Sequence, residues 1–324
     1  MARKNPRLRG YSVSLEQGRQ ARDSQKLLNI RLETSLRCNM NCIYCCWATG
    51  EKQGVENSYS DLERVISQAA DLGATSVVVV GGGEPTIYPN FRNLLIHMRA
   101  SGMRPVVITN GLVIDEDWAN FFSGQRCSII MKRDAMSFDL QDKLCALPGT
   151  AERMDKALQN LMAAGLNDSK DPDWTSLGVA MVCSKVNMSE IPEVWRFARK
   201  NHIYPCLELL NPKGRAKTRL NEFALSGKES VELMNRLRTV DEEFGNRPED
   251  WPELKDTKCL QHLHSFYVDV YGWVSPCGPV RSKNQNIREK DLYEIYHSDE
   301  FREYRAIEKH LDYEQPCLSQ TRLE

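Results

Sequence analysis

From residue 27 to residue 210 of this 324-residue chain, short apolar runs alternate with amphipathic stretches, and no other feature constrains the fold as strongly. Repeated βα units of this kind bury their apolar faces as a parallel sheet covered by helices. Six strands are expected, over Leu28–Glu33, Ser76–Val80, Pro105–Thr109, Ser128–Lys132, Leu177–Cys183 and Ile203–Leu210. Most are Val, Ile and Leu runs, as strands covered on both faces are. Between them, Ser60-Asp61-Leu62-Glu63 has the pattern of a capping box, and Leu62, Val65, Ile66, Ala69 and Ala70 follow at helical spacing until Gly73. Asn90, Asp115, Thr150 and Ser189 are the expected starts of the next four helices, with Gly102 and Gly165 as stops. The class is α/β.

The pattern changes after the sixth strand. Ser226-Gly227-Lys228-Glu229 is a second capping box, opening a helix to about Phe244. Residues 245–258 carry two prolines and many charges, which suits a domain boundary. Beyond it, Ser265–Val270, Tyr271-Gly272 and Trp273–Ser275 read as a hairpin, and Leu292, Ile295, Tyr296, Phe301, Tyr304 and Ile307 as one final amphipathic helix.

Charge does not name a partner. Lys and Arg total 43 against 44 for Asp and Glu, a net charge of -1, so neither nucleic acid nor an anionic membrane is the expected ligand. With 41% apolar and 27% charged residues, the composition is that of a globular chain, and the apolar run around Val77–Val80 is far short of the roughly 18 residues of a membrane span. No hydrophobic core follows the basic Met1–Arg7 segment, so the expected location is cytoplasmic.

Eleven cysteines are many for a reducing compartment, where clustered thiols more often bind metal or do chemistry than form disulfides. Directly after the first strand, Cys38, Cys42 and Cys45 stand at a C-x3-C-x2-C spacing. Three ligands do not close a tetrahedral zinc site, whereas a cubane iron–sulfur cluster held by three thiolates leaves one iron open. After the second strand comes Gly81-Gly82-Gly83-Glu84-Pro85-Thr86, a run in which backbone can approach a ligand closely. An ordinary βα turn is the alternative reading of these glycines.

Together these segments resemble the radical S-adenosylmethionine (SAM) superfamily, over about residues 27–215. The resemblance implies a partial (β/α)6 barrel with polar residues gathered at the carboxyl ends of its strands, where α/β barrels place their active sites. It implies a 4Fe–4S cluster on Cys38, Cys42 and Cys45, the aromatic Tyr44 before the third cysteine, and SAM held by Gly82, Gly83 and Glu84. Asn187 and Arg215 are further SAM-binding candidates, although Asn187 also reads as a turn residue and Arg215 as part of a solvated basic run. The implied chemistry is reductive cleavage of SAM to a 5′-deoxyadenosyl radical that abstracts hydrogen from an unactivated C–H bond. The implied electron donor is a flavodoxin- or ferredoxin-type reductant.

Near the C-terminus, twelve residues separate Cys259 from Gly272, four separate Gly272 from Cys277, and 39 separate Cys277 from Cys317. This is similar to the auxiliary-cluster extensions called SPASM and, in shorter form, twitch. It implies a small α+β domain with an auxiliary 4Fe–4S cluster on Cys259, Cys277 and Cys317. Gln320 stands where a closing cysteine would be expected, so either a non-Cys ligand such as His262, His264 or His310 completes the site, or one iron is open to substrate, or the domain is degenerate. The organisation expected is an extension over 1–26, the barrel over 27–225, a helix and linker over 226–258 and the auxiliary domain over 259–324.

Cys127, Cys183 and Cys206 fall in or beside strands and read as small core hydrophobes, and Cys46 as a packed neighbour of Cys45. Cys145, between the fourth strand and its helix, is the catalytic candidate, as a hydrogen-atom donor to a substrate radical. Three functions stay open. The favoured one is an enzyme oxidising or epimerising a small sugar- or aminocyclitol-like metabolite, of the kind found in antibiotic biosynthesis. The others are a radical SAM enzyme modifying a ribosomally made peptide and a non-catalytic iron–sulfur sensor or electron carrier.

Overall fold

The computed structural model describes residues 5–47, 54–211, 213–246, 261–278, 282 and 284–307. Its strands are β1 (Asn29–Leu32), β2 (Ser76–Val79), β3 (Arg104–Thr109), β4 (Ser128–Lys132), β5 (Leu177–Cys183), β6 (Tyr204–Leu209), β7 (Ser265–Val268) and β8 (Val274–Ser275). The principal helices are α1 (Leu15–Asp23), α2 (Tyr59–Asp71), α3 (Phe91–Ala100), α4 (Glu116–Gly124), α5 (Phe138–Cys145), α6 (Thr150–Ala163), α7 (Ile191–Lys200), α8 (Gly227–Glu243), α9 (Leu292–His297) and α10 (Asp299–Ala306). The chain divides into two compact units: Met1–Arg9, Cys38–Ala48 and Ile108–Lys255 form one, and Gly10–Arg37, Thr49–Val107 and Asp256–Glu324 the other.

In the first unit β4, β5 and β6 pair in parallel, with Ile129 opposite Leu177 and Gly178 opposite Tyr204. Arg7–Leu8 and Trp174–Thr175 form a separate two-stranded parallel pair. Cys127, Cys183 and Cys206 are buried in this unit as core residues. The second unit has β1 between β2 and β7, both parallel to it, with β3 parallel to β2 and β8 antiparallel to β7. The expected hairpin is therefore present, and its first strand is also a sheet partner of β1. Phe266 of β7 packs against Phe301 at 4.6 Å and Tyr296 at 5.5 Å between ring centroids. Burial of such rings contributes about 1.5–3 kcal/mol each, enough to fix a four-residue strand.

The six expected strands are found with ends shifted by no more than about one residue. The helices differ more. The N-cap of α2 is Ser58, not Ser60: Ser58 Oγ accepts from Asp61 N at 3.2 Å and Asp61 Oδ2 accepts from Ser58 N at 3.0 Å. This nearer Ser/Asp pair starts the helix before the Ser60/Glu63 pair can. Ser226 and Asp115 cap as expected, whereas α6 follows Gly149 in the left-handed region and α7 follows Glu190. Helix α5 was not expected, and it ends where Ala146 adopts φ +52°. The single C-terminal helix is two, because Ser298 ends α9 and caps α10. Among the described residues, no helix is long and apolar enough to cross a membrane.

Candidate active site

The cysteine segment lies in the first unit. Cys38 is exposed, Cys42 and Cys45 are half-buried, and none of the described cysteines is in a disulfide. The loop backbone is held from outside. Arg215 Nε donates to Cys42 O at 2.9 Å and Arg215 N to Cys45 O at 2.9 Å, while Ile43 N donates to Leu144 O at 3.0 Å. Gly214 at φ +53° permits this approach, since a Cβ there would lie 2.6 Å from Cys46 O. Asn110 Nδ2 adds a bond to Asn39 Oδ1 at 2.7 Å. The guanidinium expected to meet SAM thus braces the loop with its Nε.

A buried charge cluster supports the same segment. Tyr44, 6% exposed, donates its hydroxyl to Asp134 Oδ2, and Lys132 Nζ lies 2.6 Å from Asp134 and 4.2 Å from the Tyr44 ring centroid. Val182 N donates to the second carboxylate oxygen at 2.9 Å. Burial opposes the Lys132 charge, but Asp134 and the neighbouring thiols outweigh it and hold the ammonium above the usual lysine range.

The thiols differ in consequence. A hydrogen bond from Cys145 lowers Cys42 most, burial opposes it, and Lys132 assists, leaving Cys42 at about 7. Burial raises Cys45 and pushes Cys46 to about 12. Cys145 itself is fully buried at the end of α5, its thiol raised by the bond to Cys42 and by burial. Asn187 is also fully buried. Its Oδ1 accepts from Ser184 N and Oγ, and its Nδ2 donates to Asp134 O and Val182 O, so all four of its hydrogen-bonding positions are met by protein.

The second unit carries the glycine segment. Gly82 sits at φ +67° with Ser35 O 2.9 Å from a would-be Cβ, and at Gly83 that atom would be 1.9 Å from Arg37 O. Glu84 N donates to Arg37 O at 2.7 Å, and its buried carboxylate caps the next turn through Thr86 N at 3.0 Å and Thr86 Oγ1 at 2.5 Å. Glu33, 2% exposed, stands behind Gly82 and accepts from Tyr267 Oη and from Val270 N at 3.0 Å. Sequence reading missed Glu33 and Gln141; a carboxylate ending an otherwise apolar strand was the available signal for the first.

Of the C-terminal candidates, Cys277 is half-buried, and Gly278 beside it lies against the Tyr267 ring. Cys259, Cys317 and His310 lie outside the described residues. His264 is held neutral, at about 4, first by burial and then by Arg31, and His262 Nε2 lies 2.9 Å from Ile307 O.

The model of the radical SAM superfamily matches residues 32–198, more than half the chain. The chain belongs to the radical SAM superfamily. A second model, an iron–sulfur cluster-binding domain of the SPASM type, matches residues 259–319. Among curated proteins, Fe-coproporphyrin III synthase of Methanosarcina barkeri is 27% identical over 63% of this chain and 52% of its own length. Mycofactocin maturase MftC of Mycobacterium ulcerans is 24% identical over 63% of this chain and 53% of its own length. The match to each spans about half of that relative. Streptococcus suis SuiB bound to S-adenosylmethionine superposes with a TM-score of 0.68 at 19% identity, covering 87% of this chain and 68% of SuiB, which shows a shared fold.

Membership carries a 4Fe–4S cluster and SAM, and the C-terminal domain carries auxiliary iron–sulfur binding. The donor chemistry of the loop fits the first of these. Soft thiols sit on a segment whose accessible side is not filled by protein, and one of them ionises near neutrality. Among the described residues no three His, Cys, Asp or Glu side chains are already grouped so that they could hold a metal ion.

Proposed function

We propose that the chain is an oxidising radical SAM enzyme acting on a peptide, with Cys38, Cys42 and Cys45 as ligands of the SAM-binding cluster. The observation that carries it is the cysteine loop, braced at the Cys42 and Cys45 carbonyls by Arg215 and holding Cys42 ready to ionise. When bound, the cluster and SAM supply the electron and the carbon radical that abstract hydrogen from an unactivated C–H bond. The protein's part is position. Lys132, Asp134 and Tyr44 fix the floor of the loop in a cluster largely closed to water, and Gly82 and Gly83 let backbone approach a ligand where side chains would block it. Glu84 is the acid for the SAM amino group, with its orientation set by Thr86.

An oxidation must dispose of a second electron. Cys259, Cys277 and Cys317 would hold one auxiliary cluster, which would supply an acceptor for it, and a flavodoxin- or ferredoxin-type protein is the expected reductant for the first cluster. A peptide is preferred over a sugar-like metabolite because MftC is named as a maturase and SuiB has also been solved with its precursor peptide SuiA. A tetrapyrrole is the second reading, favoured by the Fe-coproporphyrin III synthase match.

The test is anaerobic turnover of holoenzyme with SAM and dithionite, offering short peptides encoded beside the gene and, separately, iron-coproporphyrin III. A peptide product lighter by a pair of hydrogens, formed with 5′-deoxyadenosine, supports the proposal. Conversion of the porphyrin alone overturns the peptide assignment, and a peptide product of unchanged mass carrying solvent deuterium overturns oxidation.

A further inference from the structure

Glu33 is a buried carboxylate at the carboxyl end of an apolar strand, and the proposed reaction gives it no task. Main-chain pairing of β1 with β7 reaches Leu32 opposite Val268, and Glu33 N donates to Val268 O at 3.0 Å. Beyond that point the Glu33 side chain continues the ladder. Its Oε1 accepts from the Tyr267 hydroxyl, and its Oε2 accepts from Val270 N at 3.0 Å. Val270 is held from its other side as well. Its carbonyl accepts from Asn57 N at 2.7 Å, and Asn57 Nδ2 donates to the preceding carbonyl, Asp269 O, at 2.8 Å. With its N–H and C=O both pinned, buried Val270 presents Cγ1 to the glycine turn, 3.4 Å from where a Cβ on Gly82 would stand, beside Glu33 Cδ at 3.5 Å. The Tyr267 ring is itself confined by Gly278, where an added Cβ would meet ring carbon Cε2 at 2.8 Å. All of these residues belong to the second unit.

We propose that Glu33 and Tyr267 are positioning residues which, through Val270, hold the Gly81–Glu84 turn in the shape that receives SAM. The inference rests on the assignment of Gly82, Gly83 and Glu84 to SAM. The chemistry of that segment fits the amino-acid end of SAM, since Glu84 brings a carboxylate and the two glycines bring backbone without side chains. Gly82 adopts φ +67°, and a glycine turn without support has many other conformations to visit. A turn that must be ordered when its ligand arrives binds that ligand more weakly than one already in shape. An apolar side chain in place of Glu33 could fill the same volume but would leave the Tyr267 hydroxyl and Val270 N–H unpaired, whereas the carboxylate accepts both and so specifies one arrangement of the two residues. The β7–β8 hairpin thereby becomes part of the support of the SAM turn.

The experiment measures two quantities on anaerobically reconstituted full-length enzyme: the SAM dissociation constant by equilibrium dialysis, and hydrogen–deuterium exchange of the 79–87 segment without SAM. Glu33→Ala should weaken SAM about tenfold, the weight of one hydrogen bond to a charged group, and speed exchange of the turn at unchanged iron content. Tyr267→Phe keeps the ring against Gly278 and removes only the hydroxyl. It should move both readings the same way by a smaller amount, and it decides the matter if Glu33→Ala does not fold. Glu33→Gln still has an oxygen for Val270 N and an amide to offer the Tyr267 hydroxyl, so it should stay near wild type. Wild-type affinity and exchange in Glu33→Ala and Tyr267→Phe, with SAM still weakened in Glu84→Gln, overturn the positioning role alone. A loss in Glu33→Gln as large as in Glu33→Ala overturns it too, because the charge of Glu33 would then be what SAM requires. Wild-type SAM affinity in Glu84→Gln overturns the assignment of the turn to SAM instead.

Discussion

The cysteine loop of the first unit is fixed by side chains brought to it, Arg215 on two carbonyls and the Lys132–Asp134–Tyr44 cluster at its floor, whereas the Gly81–Glu84 turn of the second unit is fixed by their removal. In the first case long polar side chains hold backbone that is itself irregular, leaving thiols accessible. In the second, backbone packs on backbone so closely that a single methyl group has no room. The two arrangements suit the two roles proposed for them: soft ligands must be able to turn toward a cluster, while a turn that is to meet SAM must expose peptide groups rather than side chains.

Variants that attack each device separate them. The largest effect is expected from Lys132→Met, which leaves the Asp134 carboxylate buried without its cation. Breaking one side of such a pair costs about 3–5 kcal/mol, read as a lowered urea midpoint at unchanged m-value. A loss below about 1 kcal/mol would mean that the charge cluster does not anchor the loop. Gly83→Ala comes next, at roughly 3 kcal/mol, the upper end for overpacking against atoms that cannot yield, because the added carbon would stand 1.9 Å from Arg37 O. Gly82→Ala should cost less, about 1–2 kcal/mol for its left-handed backbone. Equal thermal stability of wild type and Gly83→Ala would remove the basis for contrasting the two segments.

How much of this could be read from the sequence divides along the same line. The Cys38–Cys45 spacing, the Gly81–Thr86 run and the strand periodicity are local patterns, and each is legible within about ten residues. The Arg215 brace joins residues 173 apart and the Tyr267–Glu33 bond residues 234 apart, and neither leaves a trace in local spacing. Asn187 was legible as a polar residue at a strand end, but its amide is taken up by Ser184, Asp134 and Val182, which only the fold brings together. Cys145 was noticed for its position and given the wrong neighbourhood, because the short helix α5 that buries it was not expected.

The smallest predicted effect concerns such a local competition. Ser58→Ala should cost about 1 kcal/mol as loss of an N-cap, while Ser60→Ala, inside the first turn, should change stability by no more than a few tenths. Thermal denaturation of the two variants side by side distinguishes them, and a larger loss for Ser60→Ala would return the cap to the position expected from the sequence.

The central claim is that the three loop thiols hold the cluster that cleaves SAM, apart from a second iron–sulfur site near the C-terminus. Iron and 5′-deoxyadenosine should be measured on anaerobically reconstituted wild type and on the variant with Cys38, Cys42 and Cys45 all replaced by Ala. The account predicts about eight irons in wild type and about four in the variant, one cubane cluster fewer, with 5′-deoxyadenosine production abolished. Unchanged iron content, or continued cleavage of SAM without the three thiols, would contradict it.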